Sequence, residues 1–215
     1  MRMDKRSWVL LTVVPAIAVP TPATGQASVE VGPFVAIYAP VGNFGSSDVV
    51  STALPTRPSY LGGLAWGAEG RLWLNARVGI QLQGAVATSR FGGGANTPAG
   101  FTTTPKDAQV VTLTAQVVYR PLRSSFPLLV SAGAGVVRHG GEAYSWPALR
   151  GLSPVAVALG LGCDLHIGRW LTATLGVTTL LYSLDVHDDF GQRFERGFQA
   201  DLLPHVTLAW RSRPQ

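Results

Sequence analysis

From residue 78 onward the chain alternates between aliphatic and small or polar residues. Val78, Ile80, Leu82 and Val86 fall at one parity, and Gly79, Gln81, Gln83 and Ala85 at the other. Residues 110–120 repeat the pattern, with Val111, Leu113, Ala115, Val117 and Tyr119 against Thr112, Thr114, Gln116 and Arg120. In 154–167, Val155, Val157, Leu159, Leu161, Cys163, Leu165 and Ile167 oppose Ala156, Ala158, Gly160, Gly162, Asp164 and His166. A period of two marks a β-strand lying between unlike surroundings. Read throughout, it predicts eight strands at 29–38, 62–74, 77–88, 108–120, 127–138, 153–167, 170–185 and 198–211. Ordinary strands run about 5–6 residues, whereas a tilted strand that crosses a bilayer needs about 9–11. These are long enough to cross.

The connections alternate as well. Asn75-Ala76, Gly168-Arg169 and the segment from Pro121 to Phe126 are short; 39–61, 89–107, 139–152 and 186–197 are long and hold Gly, Pro, Ser, Thr and Asp. Strict alternation puts every short turn at one end of the sheet and every long loop at the other, and an even strand count returns both termini to the short-turn end. Backbone groups in hydrocarbon have no water to bond, so such a sheet must close on itself. The predicted fold is all-β: an eight-stranded antiparallel up-and-down transmembrane β-barrel with short periplasmic turns and long external loops.

Side-chain size decides which face is which. An eight-stranded barrel has a bore only just wide enough for side chains, so the small and polar rows belong inside and the Leu, Val and Ile rows face lipid. That choice gathers a polar lumenal set: Glu30, Glu69, Arg71, Gln81, Gln83, Gln116, Arg120, Asp164, His166, Asp201 and His205. Buried charges persist when paired, and an ionic core replacing an aliphatic one is preferred here over a proton or ion path. On this assignment Leu159→Arg on the wall is costly and Gln81→Leu in the lumen is mild. Tyr38, Tyr60 and Tyr182 fall toward the long-loop rim, and Trp73, Tyr119, Trp170 and Trp210 toward the other, the levels at which interfacial aromatic girdles are expected. Trp73 and Trp170 share the lumenal parity and are candidates to cap the interior; Trp66 falls mid-strand on the lipid face.

Composition agrees with a wall that does not meet water. Of 215 residues, 47% are apolar and 13% charged, with 25 Gly; a soluble domain carries about 25% charged residues. Mean hydropathy is +0.23. The single cysteine, Cys163, excludes a disulfide framework or a cysteine-built metal site. Residues 1–27 read as a cleavable signal peptide: Arg2, Lys5 and Arg6, then the apolar run from Trp8 to Val19, then Gly25-Gln26-Ala27 with small residues before the cut. The barrel domain is 28–215. Removing the leader takes away three basic residues and Asp4, so the net charge falls from +5 to +3. No dense basic run remains for nucleic acid, and no motif calls for a cofactor or metal. Beyond the leader no run of 18 apolar residues occurs. The expected location is the bacterial outer membrane.

With these features in place, residues 28–211 resemble the small outer-membrane β-barrel proteins of the OmpA transmembrane-domain, OmpX and OmpW type. The last strand, 198–211, carries Val206, Leu208 and Trp210 on one face, similar to the terminal segment closed by an aromatic that the outer-membrane assembly machinery recognises in that family. Here Trp stands where Phe is usual, Arg211 to Gln215 follow it, and Pro204 interrupts the strand. The resemblance implies contacts with outer-membrane lipid, lipopolysaccharide and the assembly machinery; it leaves the partner of the external loops unidentified.

Three functional readings remain open. The first is a non-catalytic structural or loop-displaying interaction barrel. The second is a narrow channel or transporter for small, apolar molecules, kept alive by Gly133, Gly135, Gly160 and Gly162. The third is a lipid A-modifying enzyme. His205-Val-Thr207 is the nearest match to the His-x-Ser pair of the lipid A 3-O-deacylases, with Thr in place of Ser on the lumenal face. No catalytic residue is assigned. His187, Asp188 and Asp189, and His139 with Glu142, read as solvated loop charges, and Gly92-Gly93-Gly94 lacks the helix and Lys-Ser/Thr of a phosphate loop.

Overall fold

The structure, a computed structural model, describes residues 27–41, 59–92, 94–97, 100–103, 106–121, 127–141, 154–187 and 193–212. Residues 1–26 of the expected leader lie outside the described residues, as do Glu142, Asp188 and Asp189.

Eight long strands form the wall: β1 (Ser28–Val41), β2 (Gly63–Trp73), β3 (Val78–Gly92), β4 (Lys106–Tyr119), β5 (Leu128–Gly141), β6 (Val155–Ile167), β7 (Leu171–His187) and β8 (Arg193–Arg211). Each pairs antiparallel with its chain neighbours, and β1 pairs with β8, so the sheet closes into a barrel. A short strand, Ser59–Leu61, pairs with the end of β3, and a small hairpin joins Gly94–Thr97 to Gly100–Thr103. The alternation rule misses these two because they lie in Gly-, Ser- and Thr-rich stretches without a two-residue apolar period. The long strands also run further at the long-loop end than predicted: β3 to Gly92, β5 to Gly141, and β8 from Arg193 rather than 198. Past the aliphatic band the two-residue apolar period lapses, as in Ser89-Arg90-Phe91-Gly92 and Arg193-Phe194-Glu195-Arg196, so pairing continues without the pattern that reveals it.

Sequence chemistry fixes the short turns. After β2, the Asn75 side-chain oxygen accepts hydrogen bonds from the backbone N–H of Arg77 and Val78, both at 2.8 Å. This is an Asx turn, which suits Asn. Between β6 and β7, Gly168 has φ +79°, a left-handed conformation that a side chain would strain.

The two faces differ as the pattern requires. Ile37, Leu64, Leu113, Val157, Leu161 and Val206 are each more than half exposed, part of a continuous aliphatic wall of the kind hydrocarbon solvates. Inward positions are buried and carry Ala, Thr, Gln, Tyr and charged residues. The aromatics divide differently from the girdle expectation. Trp170 and Trp210 stack at the short-turn rim with centroids 6.1 Å apart, and Tyr119 and Trp66 face outward. Tyr38 and Tyr182, however, are buried in the lumen, because each shares parity with the inward residues of its strand. They are not interfacial anchors. Trp73 also points inward, and the side chain of Tyr60 is outside the described residues.

Candidate functional site

The lumen is the candidate site, and it has two unlike halves. At the short-turn end a charged network is centred on Arg71 of β2. Its guanidinium meets Glu69 at 2.6 Å and Asp164 at 2.9 Å, and lies 3.7 Å from Glu30. It also donates to Gln81 at 2.9 Å and Thr174 at 3.1 Å. One side chain thus ties together β1, β2, β3, β6 and β7 across the bore. Asp164 is shared: Arg120 reaches its other oxygen at 2.6 Å, and the Thr174 hydroxyl donates to it at 2.6 Å. Arg120 lies over the Trp73 ring at 3.7 Å, an attractive cation–π contact. Arg211 closes the set on Glu30 at 2.6 Å. The three carboxylates of Glu30, Glu69 and Asp164 face the three guanidiniums of Arg71, Arg120 and Arg211, so the buried charge is balanced within the network.

A polar layer continues upward. Gln81 and Gln83 each donate to Glu69 at 3.4 Å, and Thr178 donates to Gln83 at 3.2 Å. Ser131 donates to Gln116 at 2.7 Å. His205 sits edge-on to Phe34 with centroids 5.6 Å apart, its Nδ1 donating to the Leu203 carbonyl at 3.0 Å. The ring has room because Gly176 lacks a side chain: a Cβ there would lie 2.8 Å from Nε2. Beside it a cavity of about 20 Å³ is lined by Arg71, Gln81, Ser131, Gly160 and His205 among others. That is space for about one water molecule.

The long-loop half is apolar. Ala36, Ala65, Ala87, Val110, Val137, Leu180 and Leu203 pack across it. Within this layer Asp201 is fully buried, and its Oδ2 accepts from the Tyr38 hydroxyl at 2.9 Å and the Tyr182 hydroxyl at 2.6 Å. Gln199 donates to Oδ1 at 3.3 Å, and His139 Nε2 lies 3.3 Å from the Tyr182 oxygen.

Of the sequence-derived lumenal set, Glu30, Glu69, Arg71, Gln81, Gln83, Gln116, Asp164, Asp201 and His205 are buried inside, and Arg120 is partly buried at the end. His166 is the exception. It is exposed at the short-turn rim, 3.2 Å from Arg211 Nη2, because β6 ends one residue later and the bore opens there. The set also divides: Asp201 belongs to the apolar half and bonds Tyr38, Tyr182 and Gln199 rather than the Arg71 network. Four members escape the sequence reading: sequence alone places Arg211 in a tail after the terminal aromatic, Tyr38 and Tyr182 in a girdle, and His139 in a loop. All have inward parity on their strands, and that parity is the signal that finds them.

The enzyme motif does not assemble. The Thr207 hydroxyl donates to Glu69 at 3.5 Å, and His205 Nε2 faces the same carboxylate at 3.9 Å. Hydroxyl and imidazole share an acid rather than pairing with each other, in mid-bore, whereas nucleophilic catalysis needs the hydroxyl against its base. Val206, Leu208 and Trp210 face outward near the end of β8.

No protein-family model matches the chain, and no curated protein matches it by sequence. Solved structures do match by shape. The crystal structure of the outer membrane protein OprG from Pseudomonas aeruginosa aligns with TM-score 0.57 at 9% identity, covering 88% of this chain and 97% of OprG. The solid-state NMR structure of the outer membrane protein AlkL in lipid bilayers aligns with TM-score 0.58 at 15% identity, covering 90% and 94%. The fold is therefore that of the small eight-stranded outer-membrane barrels, closed, antiparallel throughout and without helices among the described residues.

Proposed function

We propose that the protein is a non-catalytic barrel of the bacterial outer membrane. Exported behind its leader and embedded in lipid and lipopolysaccharide, it acts as a plugged barrel that displays the long connections following β1, β3, β5 and β7. The observation that carries this reading is the Arg71 network, which binds five strands to one another across the bore, with a cavity beside it of about 20 Å³. A hydrated ion passing that layer has to break several buried ion pairs. The outward aliphatic wall and the likeness to OprG and AlkL, both outer membrane proteins, support the location. The terminal face of Val206, Leu208 and Trp210 is the surface offered to the assembly machinery. Planar-bilayer recording of the refolded mature chain is the test: silence is expected, and ohmic steps of uniform size overturn the plug.

A second reading rests on the other half. Its lining is apolar apart from the Asp201 cluster, a chemistry that suits a small apolar molecule rather than an ion. A vesicle-uptake assay with a small alkane separates the two: transfer above that of protein-free vesicles favours the carrier, and background transfer favours the scaffold. Incubation with lipid A is expected to leave its acyl chains intact.

A further inference from the structure

The seams between strands are not equal. Seven of the eight ladders run without an interior gap through the membrane-crossing part of the wall; β3 against β4, for example, is continuous from Val78 opposite Tyr119 to Phe91 opposite Lys106. The ladder between β1 and β8, the first and last strands, keeps one register but is interrupted twice. It runs through Glu30 and Val31 (opposite Arg211 and Trp210), resumes from Phe34 to Ala36 (opposite Thr207 to His205), and resumes again from Ala39 to Val41 (opposite Leu202 to Ala200).

Each interruption holds a proline. The Ser212 N–H donates to the Val29 carbonyl at 2.8 Å, so odd-numbered residues of β1 direct their backbone polar groups at β8. In this register Pro33 stands opposite Leu208, and Ile37 opposite Pro204. Pro33 has no N–H for the Leu208 carbonyl, and Pro204 has none for the Ile37 carbonyl. Water cannot replace those bonds in hydrocarbon. Gly32, at the lower interruption, lies so close to β8 that a Cβ would collide with the Leu208 carbonyl oxygen.

Both ends of the seam are fastened by other means. At the short-turn end the Ser212 hydroxyl accepts from the Val29 N–H at 2.9 Å, and Arg211 of β8 pairs with Glu30 of β1. Toward the long loops, Tyr38 of β1 bonds Asp201 of β8. We infer that the β1–β8 seam is the opening line of the wall: it parts around the island Phe34–Ala36, between the two prolines, while these side-chain clamps hold register at either end. Arg211 and Ser212, beyond the terminal aromatic, are then seam fasteners rather than a dispensable tail.

Amide hydrogen exchange on the mature chain refolded in detergent micelles tests this. The cross-seam amides of Val35 and Val206 are expected to exchange at least about tenfold faster than those of Gln83 and Thr114, mid-wall on β3 and β4. Pro204→Ala restores one donor and is expected to slow exchange at Val206 about fivefold, the equivalent of one net hydrogen bond. Equal or greater protection at Val35 and Val206 in the unaltered protein overturns the inference, whether or not the variant folds. A cross-link gives an independent reading in a Cys163→Ser background. A disulfide from Val35→Cys to Val206→Cys is expected to raise the temperature at which the compact gel species is lost by more than one from Leu82→Cys to Ala115→Cys. Equal shifts count against it.

Discussion

The two halves of the bore bury polar groups by opposite means. At the short-turn end Asp164 is held by two guanidiniums and a hydroxyl, and each arginine contacts more than one acid. At the long-loop end Asp201 is held by two phenols and an amide. A carboxylate inside a low-dielectric bore is stable only if its charge is matched or if its bonds do not depend on the charge. The Arg71 network follows the first course and the Asp201 cluster the second. The network therefore has the character of a lock, in which removing one member strands the others. The cluster is a local hydrogen-bond set that tolerates change.

The largest effect is expected at Arg71. Arg71→Met keeps most of the side-chain volume but leaves Glu69 and part of Asp164 without their positive partner. Breaking one side of a buried pair costs about 3–5 kcal/mol, and urea titration of the refolded barrel in micelles measures it. A loss under about 1 kcal/mol means that water reaches the network freely and the plug is not dry. Gln81 belongs to the same lock. Its Oε1 accepts from Arg71 Nε and its Nε2 donates to Glu69, so Gln81→Leu is not the mild change that parity alone suggests. Stranding a hydrogen bond to a charged group costs about 1.5–3 kcal/mol.

The wall supplies the contrast to both halves. Leu159 is outward on β6 and opposite Thr179 and Ala132 on its neighbours. Leu159→Arg places a charge in mid-wall, where hydrocarbon offers no partner, and is expected to cost about 2–4 kcal/mol in a lipid bilayer. The same titration in bilayers and in the absence of lipid checks the cause: a penalty that does not depend on lipid shows that this face packs against something else.

Much of this is legible in the sequence, and the reason is periodicity. A strand between lipid and a filled bore states its inward set at every second residue, so Glu30, Glu69, Arg71 and Asp164 could be grouped without knowing one contact. Parity does not carry height along the bore, and for that reason it groups Asp201 with charges that belong to the other half. Parity also fades where the aliphatic row stops: His139 and Arg211 look like loop and tail in the sequence although both continue the inward row. Aromatic position misled in the same manner. Tyr38 and Tyr182 stand at the level of a girdle, but their parity, not their level, decides that they bond Asp201.

The smallest effect sharpens the comparison most. Asp201→Asn keeps an oxygen that both phenols can reach, so the Tyr38 and Tyr182 bonds survive. The expected loss is about 1 kcal/mol, the net worth of a single hydrogen bond. Asp164→Asn, at the same burial, turns an NH₂ toward guanidiniums and is expected to cost about 3 kcal/mol or more, because it unbalances a paired set. Both variants are matched in size and can be titrated side by side in micelles. Equal losses remove the distinction between lock and cluster. A loss at Asp201 as large as at Asp164 places a matched charge beside Asp201 as well, and the apolar half of the bore is then a second ionic layer.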